Sequence, residues 1–119
     1  MSRHLESKLQ IACVTWFRMQ YRSLEKVLFA VPNGGARSKI EAKIMKAEGV
    51  TPGVADLILL KANSRYGALC IEMKTKSNRS TQSDNQLLWQ EEITQHGSKY
   101  VVCRSLDEFM NEVNNYLKS

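Results

Sequence analysis

The chain has 119 residues, 43% hydrophobic and 24% charged, with a formal net charge of +5 and a pI near 9.2. That length predicts one domain over residues 1–119, able to bury roughly two thirds of its unfolded surface, with no room for a second core. No segment approaches the ~20 apolar residues that span a bilayer, so a membrane role is not expected, and the excess of cations favours an anionic partner, nucleic acid foremost.

Residues Met1 to Glu6 mix charges with apolar positions and lack the continuous apolar core of a secretion signal, which predicts a cytoplasmic protein. From Arg3 to about Arg22, Leu5, Leu9, Ala12, Cys13, Trp16 and Phe17 recur at three- and four-residue steps, the pattern of an amphipathic helix packed by that stripe. Glu6 sits at the rim of the stripe. It is either a first-turn acid favoured by the helix dipole or a carboxylate that reaches a site beside the sheet.

Val27 to Val31 reads as a short strand, ended by Pro32-Asn33-Gly34-Gly35, where proline cannot continue a ladder and glycine permits left-handed backbone. This turn either reverses the chain or presents backbone N–H groups to a phosphate. Ala36 to Glu48 reads as a helix stopped at Gly49, with Ile40, Ile44 and Ala47 on one side and Arg37, Lys39, Lys43 and Lys46 over the rest. Val50 to Val54 is then a loop leading to Asp56.

Asp56-Leu57-Ile58-Leu59-Leu60 and Cys70-Ile71-Glu72-Met73-Lys74 are two apolar runs separated by Asn63-Ser64-Arg65-Tyr66-Gly67, which has turn composition. In an antiparallel hairpin folded about Ser64, residues whose numbers sum to about 128 face each other, so Asp56 lies opposite Glu72. Alternation sends Ile71 and Met73 to one face and Glu72 and Lys74 to the other. Two facing carboxylates repel; either Lys74 or a divalent cation bound through carboxylate oxygens offsets that repulsion. The competing view is an ordinary solvated Glu72–Lys74 ion pair.

Thr75 to Thr81 is a polar, basic connector with Lys76 and Arg79. Ser83 opens a helix over about Asp84 to His96 that closes at Gly97, with Leu87, Leu88, Trp89 and Ile93 expected in the core. Gln86 completes a capping box with Ser83 or serves the site. Lys99 to Cys103 reads as a strand, and Ser105 to Glu108 as a second capping box opening a last helix with Phe109, Val113, Tyr116 and Leu117 inward. The three cysteines, Cys13, Cys70 and Cys103, lie far apart in apolar patterns and read as buried free thiols, and His4 and His96 are too isolated for a zinc site. The element order predicts an α/β protein: a small mixed sheet flanked by helices.

Pro32-Asn33-Gly34-Gly35, Gly49 to Asp56, Glu72-Met73-Lys74, Ser83 to Gln86 with Trp89, and Gly97, in this order and spacing, resemble the stand-alone virus-type replication-repair nuclease domain, VRR-NUC, of the PD-(D/E)xK superfamily. One departure is Ala55, where the family usually has proline. The resemblance implies a restriction-endonuclease-like core and a metal-dependent DNA endonuclease of bacterial or phage-infected cells. Its catalytic residues would be Glu6, Asp56, Glu72, Lys74 and Gln86. Mg²⁺ or Mn²⁺ would be held by Asp56, Glu72 and the Met73 carbonyl. Asn33, Gly34, Arg37, Lys39, Lys43, Lys76 and Arg79 would meet DNA, branched by expectation, such as a four-way junction, and cut by a homodimer. The alternative is a catalytically silent DNA-binding module on the same fold.

Overall fold

The computed structural model describes residues 2–32, 38–75 and 82–119, with side chains from Leu5 onward. Asn33, Gly34, Arg37, Lys76 and Arg79 lie outside the described residues. The helices are α1 (Ser2–Gln20), α2 (Lys39–Ala47), α3 (Asp84–Gln95) and α4 (Leu106–Lys118), and a 3-10 helix, Arg22–Val27, follows α1. The strands are β1 (Leu28–Ala30), β2 (Leu57–Leu59), β3 (Leu69–Met73) and β4 (Lys99–Cys103). They form one mixed sheet in the order β1-β2-β3-β4, antiparallel twice and then parallel.

The β2–β3 register is the one the turn composition predicts: Leu57 faces Ile71, Ile58 faces Cys70 and Leu59 faces Leu69. Asn63 shapes the connection, its Oδ1 accepting from the N–H groups of Arg65 (2.9 Å) and Tyr66 (2.7 Å), the self-contained turn that asparagine favours. β3 is central and buried along its whole length. Its alternation divides the protein into two layers. Leu69, Ile71 and Met73 join Leu57, Leu59, Val101 and Cys103 beneath Cys13 and Phe17 of α1 and Phe109, Val113 and Tyr116 of α4. Each such side chain contributes roughly 1.5–3 kcal/mol by leaving water. On the opposite face, Cys70 and Tyr100 pack with Ala55, Ile58, Val102 and, from α3, Trp89 and Ile93.

Two helical faces differ from expectation. On α3, Leu87 and Leu88 are 50% and 62% exposed, because the helix docks through Trp89 and Ile93, one turn apart, and the bulky indole against Tyr100 (ring centroids 6.1 Å) sets its rotation. On α1, Leu5 and Ala12 are exposed, and the buried line narrows to Cys13 and Phe17, flanked by Leu9, Val14 and Trp16. The apolar side of α2 also faces outward, with Ile40 73% exposed. All three thiols are free and buried, and burial raises their pKa, to about 12 for Cys13 and Cys103 and about 11 for Cys70. Among the described residues, no helix is long and apolar enough to cross a membrane.

The loop before β2 touches α3 directly. Gly53 has φ +85°, and a Cβ there would lie 2.2 Å from the Asn85 carbonyl oxygen in the first turn of α3. Only glycine meets both conditions, so Gly53 fixes the distance between the loop that delivers Asp56 and the turn that carries Gln86. Gly53→Ala is therefore expected to cost at least about 1–2 kcal/mol, lowering Tm by roughly 4–10 °C in a domain of this size. A melt of that variant within 1 °C or so of wild type would contradict the close approach.

Candidate active site

Asp56 ends the loop just before β2, and two backbone groups hold it. Val31 N–H donates to its carbonyl (2.9 Å) and Met73 N–H donates to its Oδ2 (2.8 Å). The second bond ties its carboxylate to the central strand beside Glu72. Glu72 is 3% exposed, on the face of β3 that carries Cys70 and lies beneath α3. An ordinary solvated ion pair is thereby excluded, since a carboxyl group so deep has lost nearly all its hydration.

Gln86 and Lys74 both reach Glu72. Gln86 Nε2 donates to its Oε2 at 2.8 Å, and Lys74 Nζ stands 3.9 Å from the same oxygen. Gln86 performs both of the roles its sequence position allows. Its Oε1 accepts from Ser83 N–H (2.9 Å) in a complete capping box, and this orients the amide so that Nε2 meets Glu72. Among the described residues, no hydrogen-bond partner meets the other oxygen, Glu72 Oε1, or the hydroxyl of Tyr100, both of them buried. Buried polar atoms without partners are rare in folded proteins, and they concentrate at sites built for a ligand or for catalysis.

The electrostatics follow from this burial. Desolvation, then the charge of Asp56, push the Glu72 pKa from its ordinary 4.5 up to about 8, against the pull of Lys74 and the Gln86 hydrogen bond. Asp56 is raised too, by burial first; Met73 N–H and Lys74 oppose the shift and the charge of Glu6 adds to it. Both shifts favour the protonated form of the paired carboxyls, and Glu72 carries the larger one. Tyr100 is likewise raised, by burial and then by Glu72.

Glu6 faces Asp56 across a cleft of about 290 Å³, lined by Ser7 and Gln10 of α1, by Ala30 to Pro32, and by Asp56 and Met73. It is not a first-turn acid, because α1 begins at Ser2. Among the described residues, no three His, Cys, Asp or Glu side chains gather closely enough to hold a metal ion together, so Glu6 shares the cleft without joining the Asp56–Glu72 pair. Lys39 and Lys43 are exposed on α2. Tyr100 was not expected near the site: its position depends on the parallel β3–β4 register, which pairs it with Cys70 and which no local pattern specifies.

A hairpin that opposes half-buried Asp56 and buried Glu72 in a mixed sheet, with a lysine two residues after the second acid, defines a nuclease-type domain of the PD-(D/E)xK kind. The family model described as the VRR-NUC domain matches residues 1–107, and the chain belongs to that family. A solved structure titled "VRR_NUC domain protein" superposes with a TM-score of 0.81 at 26% sequence identity, covering 95% of this chain and 88% of that one. No curated protein matches the chain. Ala55, in place of the family's usual proline, is fully buried against α3.

The raised Glu72 pKa has a measurable consequence. The folded state holds a proton that the unfolded chain releases near pH 4.5, so the stability linked to Glu72 is complete below about pH 4.5 and is lost as pH rises to about 8. Metal-free protein is expected to melt at lower temperature at pH 8 than at pH 5, and Glu72→Gln should flatten most of that slope. Parallel slopes for the two proteins would mean that Glu72 titrates normally.

Proposed function

We propose that this chain is a metal-dependent DNA endonuclease that hydrolyses phosphodiester bonds and is selective for branched DNA such as a four-way junction. The observation that carries the reading is the pairing of half-buried Asp56 with buried Glu72, whose Oε1 meets no hydrogen-bond donor among the described residues. Two adjacent carboxylates of this kind suit a hard divalent cation, which favours oxygen ligands and relieves their repulsion. Asp56, Glu72 and the Met73 carbonyl would hold Mg²⁺ or Mn²⁺. Such an ion, when bound, polarises a phosphate and lowers the pKa of a coordinated water.

The chain's own side chains supply the rest. Lys74, held beside Glu72, places a positive charge where negative charge develops on the phosphate oxygens. Gln86, locked by the capping box, keeps the Glu72 carboxylate in one orientation and offers an amide to the nucleophile or the phosphate. Glu6 adds negative potential across the cleft from Asp56 and would help hold a second ion. Lys39 and Lys43, with Asn33, Gly34, Arg37, Lys76 and Arg79, would contact the DNA backbone. A binding module without catalysis has no use for a half-buried Asp56 facing a buried Glu72, whose repulsion only destabilises it.

The test is cleavage of labelled four-way junction, flap, single-stranded and linear DNA with and without Mg²⁺ or Mn²⁺. Lys74→Ala and Glu72→Gln should each lower the cleavage rate by about 10²–10³-fold or more, Lys74→Ala with a melt within a few degrees of wild type and Glu72→Gln with a melt at pH 8 no lower than wild type. Asp56→Asn should greatly reduce the heat of Mn²⁺ binding, since the amide removes the charge a hard cation requires. Wild-type rates in these variants would refute the assignment.

A homodimer belongs to the same proposal, because one chain presents one site whereas a junction needs two symmetric cuts. The exposed Ile40 and Ile44 of α2 and Leu87 and Leu88 of α3 support it as apolar surface that a second copy would cover. Light scattering should give twice the 13.6 kDa chain mass; a monomer at every concentration, with DNA present or absent, would rule the dimer out.

A further inference from the structure

A second cleft, of about 560 Å³, adjoins the candidate active site through Lys74 and is lined also by Gln82, Arg104, Glu108, Asn111 and Glu112. Its volume lies within the range of small-ligand pockets. Resting on the nuclease reading above, we propose that this cleft is a subsite for the DNA phosphodiester next to the one that is cut, with Arg104 as its phosphate-binding residue.

The placement follows from the parallel strand pair. β3 and β4 end side by side, Met73 opposite Cys103, and Lys74 N–H donates to the Cys103 carbonyl at 3.0 Å. The residue after each strand is a cation, Lys74 and Arg104. Two positive side chains thus stand together beyond the carboxyl ends of parallel strands, the place where open α/β sheets bind ligands.

Arg104 is held there from two directions. Its backbone N–H donates to Glu108 Oε1 at 2.6 Å, and its guanidinium Nη1 donates to the Thr75 carbonyl at 3.3 Å, one residue past Lys74. The planar fork of a guanidinium matches phosphate oxygens, and a side chain positioned in advance loses less entropy when it binds them. The carboxylates in the same cleft are engaged by the protein: Glu108 by Arg104 N–H, and Glu112 by Lys99 Nζ at 3.7 Å. Lys74 links the two places, since it lines the cleft and stands 3.9 Å from Glu72. A strand with one phosphate at the acid pair would pass its neighbouring phosphate along Lys74 to Arg104.

The experiment is fluorescence anisotropy of the full chain on junction DNA across a salt series, with chelator present so that no strand is cut, beside Mn²⁺ calorimetry and cleavage assays. Arg104→Gln should weaken DNA binding about three- to tenfold and reduce the magnitude of the salt slope by about 1, while Mn²⁺ affinity stays at the wild-type value. Arg104→Lys should keep the slope. Asn111→Asp, an exposed change that leaves the bonds of Arg104 in place, should also weaken binding by adding negative charge. A neutral methylphosphonate at the contacted linkage should erase the difference between wild type and Arg104→Gln.

If Arg104→Gln and Asn111→Asp both bind DNA as wild type does, with the same slope, the subsite is wrong and the nuclease reading stands as long as wild type cuts. If Arg104→Gln loses Mn²⁺ affinity together with DNA binding, Arg104 supports the acid pair and the separate subsite is refuted. If wild type neither binds nor cuts DNA, both readings fail.

Discussion

Two carboxylates, half-buried Asp56 and buried Glu72, are forced together by a hairpin register, and much of the surrounding structure either imposes or moderates that opposition. The register itself cannot slip: moving β2 by one residue would turn Leu57 and Leu59 out of the main core. Met73 N–H then binds Asp56, and α3 closes over Glu72. The fold thus accepts a locally unfavourable arrangement because the apolar residues on either side of each acid over-determine its position. Unfavourable electrostatics kept in place by a well-packed scaffold are the general mark of a functional site.

The moderating groups come from separate parts of the chain, which gives the layers their purpose. Lys74 continues the central strand, and Gln86 comes from the first turn of α3, where its cap bond to Ser83 and its contact with Glu72 use opposite ends of one amide. Gly53 lets the loop before Asp56 rest on that same turn, so the acid and the amide share one mechanical reference. Glu6 approaches from the other layer on α1, across the cleft. Neutralisation remains incomplete: Glu72 Oε1 meets no donor among the described residues, and burial with the Asp56 charge raises the Glu72 pKa well above its ordinary value.

The hairpin was legible in the sequence because its turn residues and two apolar runs are local, and local spacing determines antiparallel register. The Ser83 box was legible for the same reason. Contacts between distant segments were not. Tyr100 beside Glu72, and Arg104 beside Lys74, depend on a parallel pairing whose partners are joined through α3. The rotation of α3 is not set locally, because Leu87 and Leu88 fit a helical stripe as well as Trp89 and Ile93 do, and the fit of the indole against Tyr100 decides between them. The depth of Glu72 was also out of reach, since a Glu-x-Lys reads alike on a solvated strand and on a buried one.

The most direct measurement of this account is the carboxyl carbon resonance of Glu72, followed by NMR from pH 4 to pH 9 with and without Mg²⁺. The account predicts a midpoint near 8 in the metal-free protein and a large downward displacement once Mg²⁺ is added, as the cation takes the place of the proton. A midpoint near the ordinary 4.5, unchanged by Mg²⁺, would contradict both the opposition of Asp56 to a buried Glu72 and the metal site built on it.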